Sequence, residues 1–351
     1  MAKPRAKATK KTPKTLQKWP VWLLAAINRR RKNFLARRPH RSFCKTGRRD
    51  YKRRLQLPGY WSFTNQVRLL LVRNKWLFLK FTALYSILSF VAIGILSQDN
   101  YNVLTSTLHT LGNSFFSGGL GQFSVNIAVF AGVVGGVFNT QLTPTQQVYS
   151  GLLVLLAWLT LVWLLRQIMA GHKNVRLRDG LYASGSPIVA TFLLVMVVLV
   201  QIIPFVIAVT AYVAASSVNV LGSIFFDAMF WLVELLLVTA SLYWITGSLM
   251  ALIVVTLPGM YPWRALRVAG DLVVGRRLRL LYRLGWLVFT LFLLWLVVLL
   301  PAILVSNISL LKQIPVVPIV VLILLSASMV WIATYLYLLY RKVVDDDTAP
   351  A

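Results

Sequence analysis

Long apolar runs separated by short polar stretches dominate the pattern along the chain from residue 76 onward. Six runs have about twenty residues or more, the length that an α-helix needs to cross a hydrocarbon core of about 30 Å. They lie at residues 76–96, 148–170, 187–215, 230–257, 284–305 and 315–340. None resembles the short alternating segments of a membrane barrel. The pattern predicts an all-α, polytopic membrane protein with six transmembrane helices.

Two segments do not fit this count simply. Residues 123–138 are apolar but only sixteen long and contain three glycines. We expect them to form an interfacial or re-entrant element, because an additional span would move six arginines to the outer side. The run at 221–257 is too long for one upright span, so either it begins with an interfacial turn or its helix extends beyond the membrane.

Basic residues are concentrated before the first apolar run. Residues 1–80 hold 24 of the 37 Lys and Arg residues, with Asp50 as their only acidic companion, and the formal net charge of the chain is +28. We predict three parts: a basic, partly disordered arm at 1–56, a six-span domain at 57–342 and a short tail at 343–351. Within the arm, residues 19–27 are typical of a short amphipathic interfacial helix.

The charges of the connections predict the orientation. Every second connection is basic, whereas residues 97–149 contain no Lys or Arg and the connection between the fifth and sixth runs has only Lys312. Because cytoplasmic loops carry an excess of Lys and Arg, both termini are expected in the cytoplasm. Arg166, near the end of the second run, is expected to extend to the cytoplasmic surface.

The sequence Leu-Pro-Gly occurs twice, at 57–59 and at 257–259, each time before a basic, half-apolar segment. In the first segment, Phe63, Val67, Leu70 and Leu71 recur at helical spacing. In the second, Trp263, Leu266, Ala269, Gly270 and Val273 form one stripe, and Gly275 fits a C-terminal cap. We predict two cytoplasmic elbow helices at the membrane interface. We favour two independent occurrences of the same local turn over an internal duplication. A duplicated unit should repeat its spans too, but four predicted spans separate the two segments and only two follow the second.

A resemblance to a known family comes from the stretch PWRALRVAGDLVVGRRLRLLYRLGWL, residues 262–287. This amphipathic segment, which closes on Gly and a basic cluster before a new span, resembles part of the six-helix membrane domain of bacterial glycerophosphodiester phosphodiesterases and of related multi-span inner-membrane proteins. The resemblance covers the chain from the third run onward. It implies a helical membrane fold in a bacterial inner membrane, but no activity, since catalysis in those enzymes belongs to a separate soluble barrel domain.

Residue sets for catalysis or metal binding are not found in the sequence. His40, His109 and His172 fall in three separate regions, and the single Cys44 cannot form an internal disulfide. The sequence has no phosphate-binding loop, nucleophile elbow or His-Glu zinc signature. We therefore expect no enzymatic activity, no cofactor and no metal.

Ionisable and amide groups inside the apolar runs are the strongest functional signal. Glu234 lies within the fourth run, Asp227 precedes it by two turns, and Gln201 and Pro204 lie in the third run. A charged group at the bilayer centre costs about 2.5–3.5 kcal/mol on insertion scales. These residues are a candidate intramembrane polar site for a proton or cation path. A hydrogen bond between helices, or contact of Glu234 with the outer interface, is the favoured alternative.

The arm and the basic connections have two candidate partners. Anionic lipid attracts each nearby Lys or Arg by about 1 kcal/mol. Nucleic acid or the ribosome would also bind such an arm, in a salt-dependent way, and is the second choice. The candidate anionic-lipid contacts are Arg29, Arg30, Arg31, Lys32, Arg264, Arg267, Arg276, Arg277 and Arg279.

The function that these patterns favour is non-enzymatic. We predict a structural or accessory protein that organises lipid or partner proteins at the cytoplasmic membrane face. The alternative is a small transporter or permease that uses a polar cleft near Glu234.

Overall fold

The computed structural model describes residues 57–93, 144–172, 174–217, 224–306 and 316–347. Within these ranges the chain forms helices and no strands, which confirms the all-α class. The helices are α1 (Tyr60–Arg73), α2 (Lys75–Ile93), α3 (Pro144–Met169), α4 (Leu177–Ala183), α5 (Ile188–Ser217), α6 (Ile224–Val254), α7 (Pro262–Val273), α8 (Arg277–Ser306) and α9 (Val316–Asp347). The basic arm, the predicted helix at 19–27, the segment 123–138 and the last four residues lie outside the described residues.

Five helices contain stretches that are long and apolar enough to cross a membrane. These stretches are Pro144–Met169, Ile188–Tyr212, Ala228–Val254, Arg277–Leu299 and Ile319–Asp345. They coincide with the second to sixth predicted spans, so the chain is a multi-pass membrane protein. The first predicted span is the 19-residue helix α2, which is not among the five. The predicted count of six is therefore not confirmed by length and composition.

The fourth predicted span is one continuous helix, α6, of 31 residues. Its length of about 46 Å exceeds the hydrocarbon core of about 30 Å. Between the two alternatives for this region, a helix that begins at Ile224 without a break favours extension beyond the core over an interfacial turn at residues 225–229.

Helix α9 lies at the centre of the described bundle and contacts α1, α2, α3 and α8. Its buried positions include Ala333, Tyr335 and Leu339, which pack in one apolar core with Leu161 and Leu165 of α3. Hydrogen bonds between side chains fix neighbouring helices on α9. The hydroxyl oxygens of Ser86 and Ser326 lie 2.8 Å apart, joining α2 to α9. The Trp295 indole donates to the Ser328 hydroxyl at 2.9 Å, joining α8 to α9.

The three short helices pack on the long ones. In α1, Phe63 and Val67 are buried, and the Phe63 ring meets the Tyr335 ring of α9 edge to face at 4.8 Å between centroids. In α7, the buried row is Ala265, Ala269 and Val273, and this helix packs mainly against α6. Trp263, which the spacing grouped with the apolar stripe of α7, is instead 73% exposed.

The helix α4 between α3 and α5 has no counterpart in the sequence prediction. Its Gly180 is buried, and a Cβ atom at this position would lie 3.2 Å from Cδ2 of Leu164 in α3. Absence of a side chain therefore permits close contact between the two helices. A seven-residue helix is too short for its apolar spacing to stand out in a polar connection.

The two Leu-Pro-Gly stretches precede α1 and α7, but their backbones differ. Gly59 is the N-cap of α1 with φ −51° and ψ 158°, a conformation open to any residue. Gly259 has φ +72°, in the left-handed region that favours glycine. The same three residues, Leu-Pro-Gly, therefore form two different turns. After α7, Gly275 has φ +77° and directly follows the C-cap Val274, which confirms its predicted capping position.

Candidate functional site

Polar side chains on α6 recur every seven residues along the interface with α5. Glu234, Ser241 and Ser248 share this spacing and are all buried. Seven residues make almost two helical turns, so the three side chains lie on one face of α6. On α5, Leu194 and Ala208 are buried one such step before and after Gln201. We call these two rows the α5–α6 seam.

Gln201 connects the two helices of the seam by two hydrogen bonds. The Ser248 hydroxyl donates to its side-chain Oε1 at 2.6 Å, and the Ser241 hydroxyl donates to its backbone carbonyl at 2.7 Å. Pro204 lies inside α5 three residues later and has no N–H to donate. In apolar surroundings, carbonyls next to such a helix break are stabilised by side-chain donors. Ser241 thus supplies a donor beside the proline.

Glu234 belongs to the same seam but not to the Gln201 cluster. Its side chain is 7% exposed, and its Oε2 has no hydrogen-bond partner among the described residues. Fourteen residues separate it from Ser248, which corresponds to about 21 Å of helix rise. The structure therefore places Glu234 and Gln201 in one interface without joining them in one cleft. The side chain of Asp227 lies outside the described residues.

A shallow apolar groove runs along a different part of α6. It is lined by Leu232, Leu235, Leu236, Thr239, Ala240, Tyr243 and Trp244. Glu234 is not among the lining residues, so this groove does not give access to its carboxyl group. Apolar side chains such as Leu235 and Leu236 are exposed here, as expected for a helix surface that faces lipid.

Four arginines at the basic helix ends bind other parts of the fold. Arg166 of α3 donates to the backbone carbonyl of Thr256 at 2.9 Å and to its hydroxyl at 2.5 Å, just beyond the end of α6. Arg277 donates to the Tyr243 carbonyl at 3.0 Å, and its guanidinium lies 3.7 Å from the centroid of the Tyr243 ring. The first contact satisfies a carbonyl group just beyond the end of α6. The second adds a donor to a carbonyl group inside that helix.

The two remaining arginines of this group are buried in α8 and in the turn before it. Arg276 is 1% exposed and donates to the Val343 carbonyl of α9 at 3.2 Å. Arg283 donates to the Pro58 carbonyl, and its guanidinium lies 4.2 Å from the Tyr60 ring centroid. Together, these contacts bring the basic ends of α3, α8 and α9, the segment after α6 and the start of α1 to one end of the bundle.

Other cations of the helices are exposed to the surroundings. Arg264 and Arg267 of α7 and Arg279 of α8 are exposed, whereas Arg277 is half-buried and Arg276 is enclosed by the fold. Lys75 and Lys80 of α2 are exposed as well. Large aromatic side chains accompany these cations, and Trp61, Trp76, Tyr261, Trp263 and Tyr282 are each exposed. The predicted lipid contacts Arg29, Arg30, Arg31 and Lys32 lie outside the described residues.

Sequence reasoning missed Ser241, Ser248 and the partner of Arg166. The two serines could have been found, because they continue the seven-residue spacing from Glu234. Arg166 was expected to extend to the surface, but it is half-buried and bound to Thr256. A contact between residues 90 positions apart leaves no local signal in the sequence.

Among the described residues, His, Cys, Asp and Glu form no group of three that could hold a metal ion. The arrangement defines a multi-pass helical membrane protein with a polar seam and a basic, aromatic-rich end. No protein-family model matches the chain, and no curated protein or solved structure matches it significantly.

Proposed function

We propose that the protein is a non-enzymatic, structural or accessory membrane protein that organises anionic lipid or partner proteins at the cytoplasmic membrane face. The observation that carries this proposal is the division of the basic residues into two groups. Arg166, Arg276 and Arg283 hold helices together, whereas Arg264 and Arg267 are exposed beside Trp263. Exposed cations next to exposed aromatic rings are typical of a surface at the headgroup level.

The proposed topology has six spans, with both termini in the cytoplasm. A sixth span is supported by the hydrogen bond between Ser86 of α2 and Ser326 of α9. Ser326 is fifteen residues from Arg341, about 22 Å along α9 from its basic end. Helix α2 begins at Lys75, among the basic helix ends, and contacts α9 at Ser326. It therefore extends across most of the hydrocarbon core. In this topology α1 and α7 are the two elbow helices at the cytoplasmic interface.

The basic arm at 1–56 has anionic lipid as its first proposed partner and nucleic acid or the ribosome as its second. A polybasic segment tethered to a bilayer is already close to lipid headgroups. The resemblance of residues 262–287 to membrane domains of bacterial glycerophosphodiester phosphodiesterases supports a location in a bacterial inner membrane within this proposal. It lends no support to an activity.

The proposal is tested by counting lipids that stay bound to the full-length protein. We would reconstitute it in nanodiscs with zwitterionic and anionic phospholipid, extract it mildly and determine the bound lipids by native mass spectrometry. Loss of anionic lipid is expected for the double variant Arg264→Glu/Arg267→Glu, because its carboxylates repel phosphate groups. The matched variant Arg264→Lys/Arg267→Lys retains the charge and is expected to retain the lipid.

Equal retention of anionic lipid by the wild type and both double variants would contradict a lipid-binding role for α7. Deletion of residues 1–56 in the same experiment measures the contribution of the arm separately. Lipid loss only after this deletion would move the proposed lipid contact from α7 to the arm. RNA that copurifies with the full chain but not with the truncated chain would support the nucleic-acid alternative.

The alternative function, a small transporter or permease, is supported by one observation. Glu234 is a buried carboxyl group within a candidate span, and its Oε2 lacks a hydrogen-bond partner among the described residues. Such groups are characteristic of ion and proton paths. Glu234 lies almost two turns of α6 before Ser241, the nearer of the two serines that bind Gln201. This separation weakens the idea of one cleft formed by Glu234 and Gln201.

A further inference from the structure

Glu234 has no role in the proposed lipid-binding surface, and its position in the α5–α6 seam calls for a separate explanation. It lies one seven-residue step from Ser241, whose hydroxyl is already bound to Gln201. Because Glu234 is only 7% exposed, water reaches little of its side chain. Its Oε2 is enclosed without a hydrogen-bond partner in the described part of the chain.

The helices around Glu234 offer no counter-charge in the described structure. Helix α5 contains no Asp, Glu, Lys, Arg or His residue. Its one titratable side chain is Tyr212, whose ring meets the Trp231 ring at a tilted angle, with 5.8 Å between centroids. The ionisable residues of α7, α8 and α9 lie toward the basic helix ends. Arg277 reaches furthest along α6, to the Tyr243 carbonyl. Tyr243 is nine residues after Glu234, about 13 Å of helix rise.

A carboxylate in these surroundings would be an uncompensated charge. Buried charges in proteins are paired, coordinate a metal, or are neutralised by binding a proton. Pairing has no candidate among the neighbours described above. Metal coordination is also disfavoured, because hard cations such as Ca²⁺ take six to eight oxygen ligands. Near Glu234 the closest hydroxyl of its own row, on Ser241, is about 10 Å away along the helix.

We propose that Glu234 is a reversible proton-binding site, occupied by a proton while the α5–α6 seam is closed. The neutral carboxyl group is compatible with the apolar side of the seam, whereas its ionised form requires water or a new partner. Release of the proton is therefore linked to hydration or separation of α5 and α6 near Ala208 and Glu234. This site is independent of the proposed lipid-binding surface on α7.

Infrared difference spectroscopy on the full-length protein in lipid tests this proposal directly. The carbonyl stretch of a protonated carboxyl group is distinct from the two stretches of a carboxylate. At neutral pH, we expect the spectrum of Glu234→Gln to lack one protonated-carboxyl band of the wild type. Asp179→Asn is the matched control, because Asp179 is exposed near Arg178 and its removal is expected to take away carboxylate bands instead.

The proposal is overturned if Glu234→Gln loses carboxylate bands and no protonated-carboxyl band, since Glu234 would then be ionised in the folded protein. Alkaline titration supplies the second measurement. The band assigned to Glu234 is expected to disappear as pH rises and to return on acidification. Loss of the same band on addition of sodium or potassium ions at constant pH would identify a metal-cation site and would also overturn the proposal.

Discussion

The guanidinium of Arg166 in α3 binds both the backbone carbonyl and the hydroxyl of Thr256, two residues beyond the end of α6. Thr256 in turn donates its hydroxyl to the Ile253 carbonyl at 2.8 Å. One cation thus joins the ends of two candidate spans. The carbonyl groups at a helix end carry partial negative charge and lack intrahelical donors, so a half-buried guanidinium stabilises them well.

Replacement of Arg166 is therefore expected to destabilise the bundle. Hydrogen bonds to charged groups contribute about 1.5–3 kcal/mol, and we expect Arg166→Ala to lower the free energy of unfolding by about 2 kcal/mol. Unfolding in mixed micelles, followed by circular dichroism, measures this change. Arg68→Ala on the exposed face of α1 is the control and is expected to remain within about 0.5 kcal/mol of the wild type. Equal effects of the two substitutions would contradict a special role for Arg166.

The two Leu-Pro-Gly turns are expected to respond differently to substitution. Gly259→Ala places a Cβ atom in a left-handed conformation and should cost about 1–2 kcal/mol of unfolding free energy. Gly259→Asn should cost less, because asparagine tolerates this conformation. Gly59→Ser, at an N-cap with φ −51°, is expected to be neutral or slightly stabilising. The same unfolding measurement applies, and a loss for Gly59→Ser as large as that for Gly259→Ala would show that the turns are alike.

Contact between α3 and α4 depends on the missing side chain of Gly180. The added Cβ of Gly180→Ala would lie 3.2 Å and 3.3 Å from two Leu164 atoms and 3.3 Å from a methyl carbon of Thr160. Gly247→Ala in α6 is a matched control, since open space surrounds its Cβ position. Alanine should stabilise at Gly247 by about 0.5–1 kcal/mol. We expect Gly180→Ala to be less stable than this control by about 1–2 kcal/mol. Equal stability would indicate that α4 moves freely on α3.

Ser241 is expected to stabilise the proline-containing region of α5. Hydrogen bonds between membrane helices average about 0.6 kcal/mol and reach about 1.7 kcal/mol, so Ser241→Ala should cost an amount in this range. In Pro204→Ala, residue 204 regains an N–H that donates to the Val200 carbonyl, which removes the helix break beside the Gln201 carbonyl, and the Ser241 hydroxyl should then matter less. A double-mutant cycle of these two substitutions measures the coupling. Strict additivity would show that Ser241 and Pro204 act independently.

The helices themselves could be predicted from sequence because their signal is local. Apolar runs around Leu161 or Leu324 have the length that the bilayer requires, and five of them coincide with candidate spans. Gly275 was also predictable, because a glycine after an amphipathic segment is a local capping signal. The exposure of Trp263 was not predictable, because helical spacing defines an apolar stripe without showing which side of α7 contacts α6.

The candidate site could be predicted only in part. Glu234 and Gln201 stood out as polar residues in apolar runs, but their separation along the seam depends on the register between α5 and α6. This register is fixed by Ser241 and Ser248, whose partners are 40 and 47 residues away in the sequence. Arg283 likewise donates to the carbonyl of Pro58, which is 225 residues away in the sequence. Packing of distant segments, which no local pattern encodes, decides these contacts.

In the proposed topology, the basic helix ends lie on the cytoplasmic side and α2 is a sixth span. Cysteine labelling tests it most directly, in a Cys44→Ser background with a membrane-impermeant maleimide on intact and permeabilised cells. The three positions are Asn113→Cys in the segment between α2 and α3, Arg178→Cys in α4, and Arg341→Cys in α9. Each variant is compared at equal expression.

We predict that Asn113→Cys is labelled in intact cells, whereas Arg178→Cys and Arg341→Cys are labelled only after permeabilisation. Labelling of Arg178→Cys or Arg341→Cys in intact cells would place the basic ends outside. Labelling of Asn113→Cys only after permeabilisation would show that α2 does not cross the membrane. Either of these results would contradict the account.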